Sequence, residues 1–290
     1  MTPSPTGSAR PSREAVDRLR AARGFVFDMD GTLVLGDKRV DAVAPLPGAV
    51  ELARWLTDHT IPYVVVTNGT TKTPAHYRRL LRAAGFDAVT DVLTPATSAA
   101  SVLRHHGHER AVVVGHEGLA GPLRDAGIAC LEPIGRPRAE AVVVGWAPDA
   151  TMDTIEAACW AVWGGARLYS ASMLPFYATA DGRQLGTSCA ICSAVMGVTG
   201  CDVEVVGKPA PHVMADAAAR VGAKVDELAV VGDDPEAEIV MAREAGALAV
   251  AVDTGVGDPD AYRDAAAQRR PHLHVPGVGD LLALLDERVA

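Results

Sequence analysis

Aromatic residues are scarce in this chain, at 4% of 290 positions. A sizeable core must therefore be built from Ala, Val and Leu, and the 49% hydrophobic content supplies them. Positive charge is also short: 27 Lys and Arg stand against 36 Asp and Glu, a net charge of −9. That balance argues against non-specific binding to nucleic acid or to an anionic membrane surface. It leaves room for a small anionic substrate, because a local lysine and a metal can override the global sign. No apolar run approaches membrane-spanning length. The first dozen residues, Met1 to Ser12, are rich in Pro, Ser and Thr and lack an apolar stretch. They read as a disordered tail and not as a signal peptide. Cysteines number five, an odd count in a chain too long to need disulfide staples, so a reduced, cytoplasmic setting is expected. Cys189 and Cys192 form a lone C-x-x-C; without a second pair at zinc spacing they read as small buried residues on a helix. A dinucleotide fingerprint is missing as well. Gly31, after the first apolar strand, is not followed by G-x-G-x-x-G, which discounts a nucleotide-dependent oxidoreductase.

What the chain does have is Phe25-Val26-Phe27-Asp28-Met29-Asp30-Gly31-Thr32-Leu33. A short apolar run ended by Gly31 reads as a buried strand of a parallel sheet. Ligands of open α/β sheets bind outside the carboxyl ends of the strands. Asp28 and Asp30 would emerge there together, and two carboxylates that close repel unless a cation or a shared proton compensates them. A hard divalent cation such as Mg²⁺ suits oxygen ligands. An Asp-Gly turn in which Asp30 caps the next element is the other reading.

Around this stretch the organisation is α/β. A short charged helix over 12–23 leads into the first strand, and a Gly- and Pro-rich loop is expected over Leu33 to Pro47. Ala49, Leu52, Ala53 and Leu56 then fall at helical spacing. Tyr63–Val66 is a second apolar strand, and Thr73-Pro74 opens a helix that Gly85 closes. Alternating strands and helices with short turns mean a parallel sheet. The stretch 86–202 has its own alternation. It contains the near twins Ala111–Gly115 and Ala141–Gly145, both Ala-Val-Val-Val-Gly, followed by helical segments over Leu119–Ala126 and Met152–Val162. We expect a Rossmann-like doubly wound parallel core over 23–85 and 203–290, with a smaller α/β cap inserted over 86–202 and a tail and lead-in helix over 1–22. The first pattern resumes with Val203–Val206. A helix from Pro211, strands over Leu228–Val231, Ala247–Val252 and His272–Val275, and a terminal helix around Leu281–Leu285 follow.

Polar residues sit at the ends of these apolar elements in four sets: Asp28 with Asp30, Thr67 with Asn68, Lys208, and Asp233 with Asp234. Each alone has a plain reading as a turn, a solvated loop lysine or a helix cap. At one sheet edge they would supply carboxylates for a metal, a hydroxyl with backbone donors, and one cation. That is the equipment for phosphoryl transfer.

At these residues the chain resembles the haloacid-dehalogenase (HAD) superfamily. The matching motifs are Asp28-Met29-Asp30-Gly31-Thr32, Thr67-Asn68-Gly69, Lys208-Pro209 and Gly232-Asp233-Asp234. Leu35-Gly36, Pro47-Gly48-Ala49 and Gly207-Lys208-Pro209-Ala210-Pro211 extend the likeness to the NagD-like and p-nitrophenyl-phosphatase-like subgroup with a large inserted cap, over about residues 23 to 285. The resemblance implies a Mg²⁺-dependent phosphatase of a small phosphorylated metabolite such as a nucleoside monophosphate or sugar phosphate, and a homodimer through the cap. Asp28 would take the phosphoryl group as an aspartyl phosphate. Asp30 would protonate the leaving alcohol and then deprotonate the attacking water. Thr67, Asn68, Gly69 and Lys208 would hold the phosphoryl oxygens. Asp28, the Asp30 main-chain carbonyl and Asp233 would bind the metal. A slow, receiver-like phospholigand binder needs only one aspartate, so Asp30 favours turnover; a phosphotransferase using the same aspartyl phosphate stays open. Two departures stand out. Glu238 occupies a position where relatives often have Asp, so either it or Asp234 would support the metal. In the cap, Met173, Phe176 and Tyr177 stand where relatives carry a polar pair; they would either contact a substrate ring or pack in the cap core.

Overall fold

The computed structural model describes residues 12–37, 41–179, 182–255, 262 and 265–286. The tail expected ahead of Ser12 lies outside these residues. In chain order, α1 (Arg13–Ala21) precedes β1 (Gly24–Asp28), β2 (Val34–Asp37), β3 (Ala42–Pro45), α2 (Ala49–Asp58), β4 (Tyr63–Val66) and α3 (Pro74–Ala83). Next come β5 (Val92–Leu93), α4 (Pro95–His105), β6 (Arg110–Val114), α5 (Glu117–Asp125), β7 (Ala129–Leu131), β8 (Ala141–Val144), α6 (Met152–Trp163) and β9 (Arg167–Ser170). They are followed by β10 (Phe176–Thr179), β11 (Gly182–Leu185), α7 (Thr187–Thr199), β12 (Val203–Val205) and α8 (Pro211–Val221). The remaining described elements are β13 (Leu228–Gly232), a wide helical turn over Pro235–Ile239 running into α9 (Val240–Ala245), β14 (Leu248–Val252), β15 (Leu273–Val275) and α10 (Val278–Asp286). The chain divides into two compact units, one of Met1–Val64, Ala83–Ala88 and Ala218–Ala290, the other of Val65–Arg82 and Val89–Ala217.

A six-stranded sheet has the order β15-β14-β13-β1-β4-β5. The chain winds outward from β1 through β4 and β5, then restarts at β13 and winds the other way through β14 and β15. This is the Rossmann-like order, and its reversal falls between β1 and β13. The register there is parallel, with Phe27 opposite Val231. Every residue of β1, β13 and β14 is buried, which is why these strands read as unbroken apolar runs with no alternation. Phe25 and Phe27 point the same way and stack at 5.6 Å between centroids at the centre of the sheet. α2 buries Ala49, Leu52, Ala53 and Leu56, the face read from spacing.

The expected loop over Leu33 to Pro47 is corrected: β2 and β3 pair there as an antiparallel hairpin, Leu35 opposite Ala44 and Gly36 opposite Val43. Val34-Leu35 and Val43-Ala44 are too short to show period-two alternation, and Gly36 and Pro45 mask them. Pro45 is tolerated because it ends an edge strand.

The second unit holds a five-stranded parallel sheet in the order β12-β9-β8-β6-β7. Its two faces explain the twin Ala-Val-Val-Val runs. Ala111, Val113, Ala141 and Val143 face a cluster with Leu103, Leu119 and Leu123. Val112, Val114, Val142 and Val144 face another with Ala158, Ile191, Cys192 and Val195. A strand covered on both sides needs apolar residues at every position. The sequence places the return to the first pattern at Val203; β12 instead pairs with β9, Val203 opposite Leu168. Its half-buried Val-Glu-Val suits an edge strand. β10 and β11 form a hairpin the sequence did not announce. Cys189 and Cys192 both lie on α7, Cys192 buried and Cys189 half-buried, and all five cysteines are free thiols.

Candidate active site

β1 delivers Asp28 to the switch point as its last residue, 6% exposed, and β13 delivers Asp233 just beyond its end, 4% exposed. The chain then turns sharply. Gly31 adopts φ +89°, where a Cβ would be strained, and its N–H donates to the Val34 carbonyl at 2.9 Å. This turn leaves Asp30 exposed, two residues past Asp28, with Gly36 of the hairpin beside its carboxylate. The buried Thr32 hydroxyl donates to Asp233 Oδ1 at 3.3 Å, tying the two acid loops together.

The rest of the β13 loop is shaped by its own acids. Asp234 Oδ1 accepts the Glu236 N–H at 2.8 Å, so Asp234 caps the turn that follows. Glu238, 2% exposed, accepts the Asp234 N–H on Oε2 at 3.1 Å, and its stem lies where a Cβ on Gly232 would fall. Three further residues were not singled out from the sequence. Thr254 Oγ1 donates to the Gly31 carbonyl at 2.6 Å. Gly255 lies so close to Asp233 that a side chain there would overlap Oδ2. The Tyr262 hydroxyl donates to the Asp233 carbonyl at 2.8 Å. Burial first, then Asp233, Glu238, Asp234 and Asp253, raise the Tyr262 pKa, so the phenol stays a donor. A signal for Thr254 and Gly255 was present: Val252-Asp253-Thr254-Gly255 ends an apolar strand in small polar residues, as the other motif strands do. Nothing in the sequence marks Tyr262.

A hard cation fits this donor set. Two buried carboxylates, Asp28 and Asp233, stand at adjoining strand ends, and Gly31 and Gly255 leave the Asp233 carboxylate the room a side chain on either would fill. Among the described residues, no three His, Cys, Asp or Glu side chains gather as a ready-made metal cage. One or two carboxylates completed by backbone and water oxygens are what Mg²⁺ accepts.

The second unit holds the other motif residues. Thr67, 4% exposed, follows directly on β4 and accepts the Gly69 N–H on Oγ1 at 3.1 Å. Gly69 must be glycine here, since a Cβ would overlap the Tyr77 hydroxyl. Asn68 and Lys208 bond reciprocally: Asn68 Nδ2 donates to the Lys208 carbonyl at 3.0 Å, and the Lys208 N–H donates to Asn68 Oδ1 at 2.8 Å. Lys208 is 5% exposed, far below what a solvated loop lysine would show. The loop is held further along by Thr70, whose hydroxyl accepts the Trp146 N–H at 2.9 Å. Met173 packs against the cluster containing Ile191 and Cys192, as cap-core packing would have it, whereas Phe176 is 44% exposed. The Tyr177 side chain lies outside the described residues.

Fold and side chains together define an α/β protein with two buried carboxylates at the carboxyl ends of the central strands of its sheet. The sequence matches the haloacid dehalogenase-like hydrolase family over residues 25–129 and the HAD-hydrolase-like family over 205–281. An acid sugar phosphatase of Staphylococcus epidermidis is 30% identical over 255 residues, 87% of this chain and 93% of that protein. A dihydroxyacetone phosphatase of Corynebacterium glutamicum is 27% identical over 90% of both chains. Among solved structures, a glycerol phosphate phosphatase of Mycobacterium tuberculosis in complex with magnesium superposes with a TM-score of 0.80 at 29% identity, covering 91% of this chain and 77% of that one. The chain belongs to the haloacid dehalogenase-like hydrolases.

Proposed function

We propose that this hydrolase is a Mg²⁺-dependent phosphatase of small phosphomonoesters, with sugar and three-carbon polyol phosphates as the first substrate class to examine. The observation that carries the reading is the pair of buried carboxylates, Asp28 and Asp233, at the switch point, with Asp30 two residues beyond the first. The named relatives, which act on sugar, dihydroxyacetone and glycerol phosphates, support the substrate class. The magnesium complex of the mycobacterial relative supports the cation.

In this reading an Asp28 carboxylate oxygen attacks phosphorus, and the bond from phosphorus to the ester oxygen breaks. Asp30 gives its proton to the departing alkoxide. Asp30 then takes a proton from water as that water attacks the aspartyl phosphate. The bond from phosphorus to Asp28 breaks, releasing phosphate and the free carboxylate. Thr67, the backbone beside it, and Lys208 hold the phosphoryl oxygens, and Asn68 fixes the backbone of Lys208. Asp28, the Asp30 carbonyl and Asp233 hold Mg²⁺, which supplies charge neutralisation at the phosphoryl group. Glu238 and Asp234 shape the loop that presents Asp233. Phe176, exposed on β10, is a residue by which the chain would contact the leaving group. The five free thiols accord with a reducing, cytoplasmic setting.

The test is phosphate release from sugar phosphates, glycerol and dihydroxyacetone phosphates, nucleoside monophosphates and p-nitrophenyl phosphate, with and without Mg²⁺. Release should require Mg²⁺ and fall by about 10⁴-fold or more in Asp28→Asn. Undiminished release in that variant would sink the mechanism. Free alcohol produced in excess over inorganic phosphate would mark transfer to an acceptor other than water.

A further inference from the structure

Two residues outside the sequence motifs close on the acid loops of the first unit from the β14 side. Thr254 Oγ1 bonds the Gly31 carbonyl at 2.6 Å, one peptide beyond Asp30. Tyr262, 3% exposed, bonds the Asp233 carbonyl at 2.8 Å. Gly255 presses on the Asp233 carboxylate from the same loop, and a Cβ on Gly31 would lie 2.8 Å from that carboxylate's Oδ2. Three strand ends, those of β1, β13 and β14, are thus locked together by one hydroxyl, one phenol and two missing side chains.

The lock falls where freedom would do most harm. Gly31, at φ +89°, has no side chain to hold its own peptide. Rotation of that peptide would swing the adjoining Asp30 carbonyl and carry the Thr32 hydroxyl off Asp233. Mg²⁺ demands near-ideal octahedral ligation, so small displacements of its oxygens are costly. Resting on the function proposed above, we infer that Thr254 and Tyr262 are positioning residues, which set the backbone of the two acid loops for the cation and for Asp30 without touching substrate.

The test compares Thr254→Val, Thr254→Ser and Tyr262→Phe with the wild-type chain. Mg²⁺ binding is measured by calorimetry, kcat and KM on the best ester, and folding by circular dichroism. Thr254→Val and Tyr262→Phe should each weaken Mg²⁺ binding about tenfold and lower kcat by about tenfold, with KM unchanged, and Thr254→Ser should restore both. Unchanged Mg²⁺ affinity in folded Thr254→Val and Tyr262→Phe overturns the inference, as does a loss that serine fails to restore. Should Thr254→Val not fold, Tyr262→Phe, which removes a single oxygen, decides alone. A wild-type chain that binds Mg²⁺ but releases no phosphate refutes the phosphatase reading, while calorimetry still decides the positioning. A wild-type chain that binds no Mg²⁺ refutes the positioning outright.

Discussion

His272 carries a pH dependence that belongs to one side chain. Its Nδ1 accepts the Ala249 N–H at 2.9 Å, so the ring nitrogen facing the backbone must be unprotonated. Burial, followed by the charges of Arg243 and Arg18, lowers its pKa from 6.5 to about 4. The folded pKa lies below the unfolded one, so the unfolded chain takes up the proton first as the solution is acidified. The stability linked to a neutral His272 is therefore present above pH 6.5 and drains away as pH falls towards 4. The thermal midpoint of the wild-type chain should fall more between pH 7 and 4.5 than that of His272→Gln; parallel falls would refute the assignment. Glu238 shows the same scale from another side. The sequence leaves open whether Glu238 or Asp234 supports the metal, and the Glu238 side chain accepts the Asp234 N–H. The identity of an acid is legible in a motif, but which N–H it meets depends on the turn after β13, which the motif does not encode.

At the level of elements, the approach of α2 to α10 depends on Gly48. Gly48 enters α2 at φ +79°, and a Cβ on it would overlap the Gly279 Cα of α10. Gly48→Ala meets both a left-handed backbone and a backbone neighbour that cannot rotate aside. Destabilisation of at least about 2 kcal/mol is expected in urea unfolding. A loss of only about 1 kcal/mol, no more than the backbone strain alone, would mean the helices part freely. The helix start itself was readable, because Pro47-Gly48 and the spacing of Ala49, Leu52, Ala53 and Leu56 are local signals. The β2–β3 hairpin was not, because its strands are short and carry Gly36 and Pro45. Nor was the pairing of β12 with β9, since partner choice among parallel strands is decided by residues distant in sequence.

Across the whole chain, the acid motifs were legible because strands buried on both faces leave long apolar runs, and only their ends are free to be polar. That rule singles out Asp28, Asp30, Thr67 and Asp233 and would have singled out Thr254, whereas Lys208 follows the half-buried edge strand β12 and stands outside it. It could not find Tyr262, which joins the site from a segment with no such run. The division into two units also bears on stability. A ligand that binds only the folded form raises stability by its own binding free energy, about 2.7 kcal/mol at a hundred times its Kd. In a chain of this size that is a rise of about 5–10 °C in thermal midpoint. Added Mg²⁺ should produce such a rise in the wild-type chain, confined to the earlier or later transition if the two units melt separately. Asp233→Asn should abolish it, because the cation loses one of two buried carboxylates. Cys192→Ser, a buried substitution in the second unit, should lower the midpoint yet keep the Mg²⁺ shift. An equal shift in Asp233→Asn would place the cation elsewhere and remove the physical reason for two buried acids at the β1–β13 switch point.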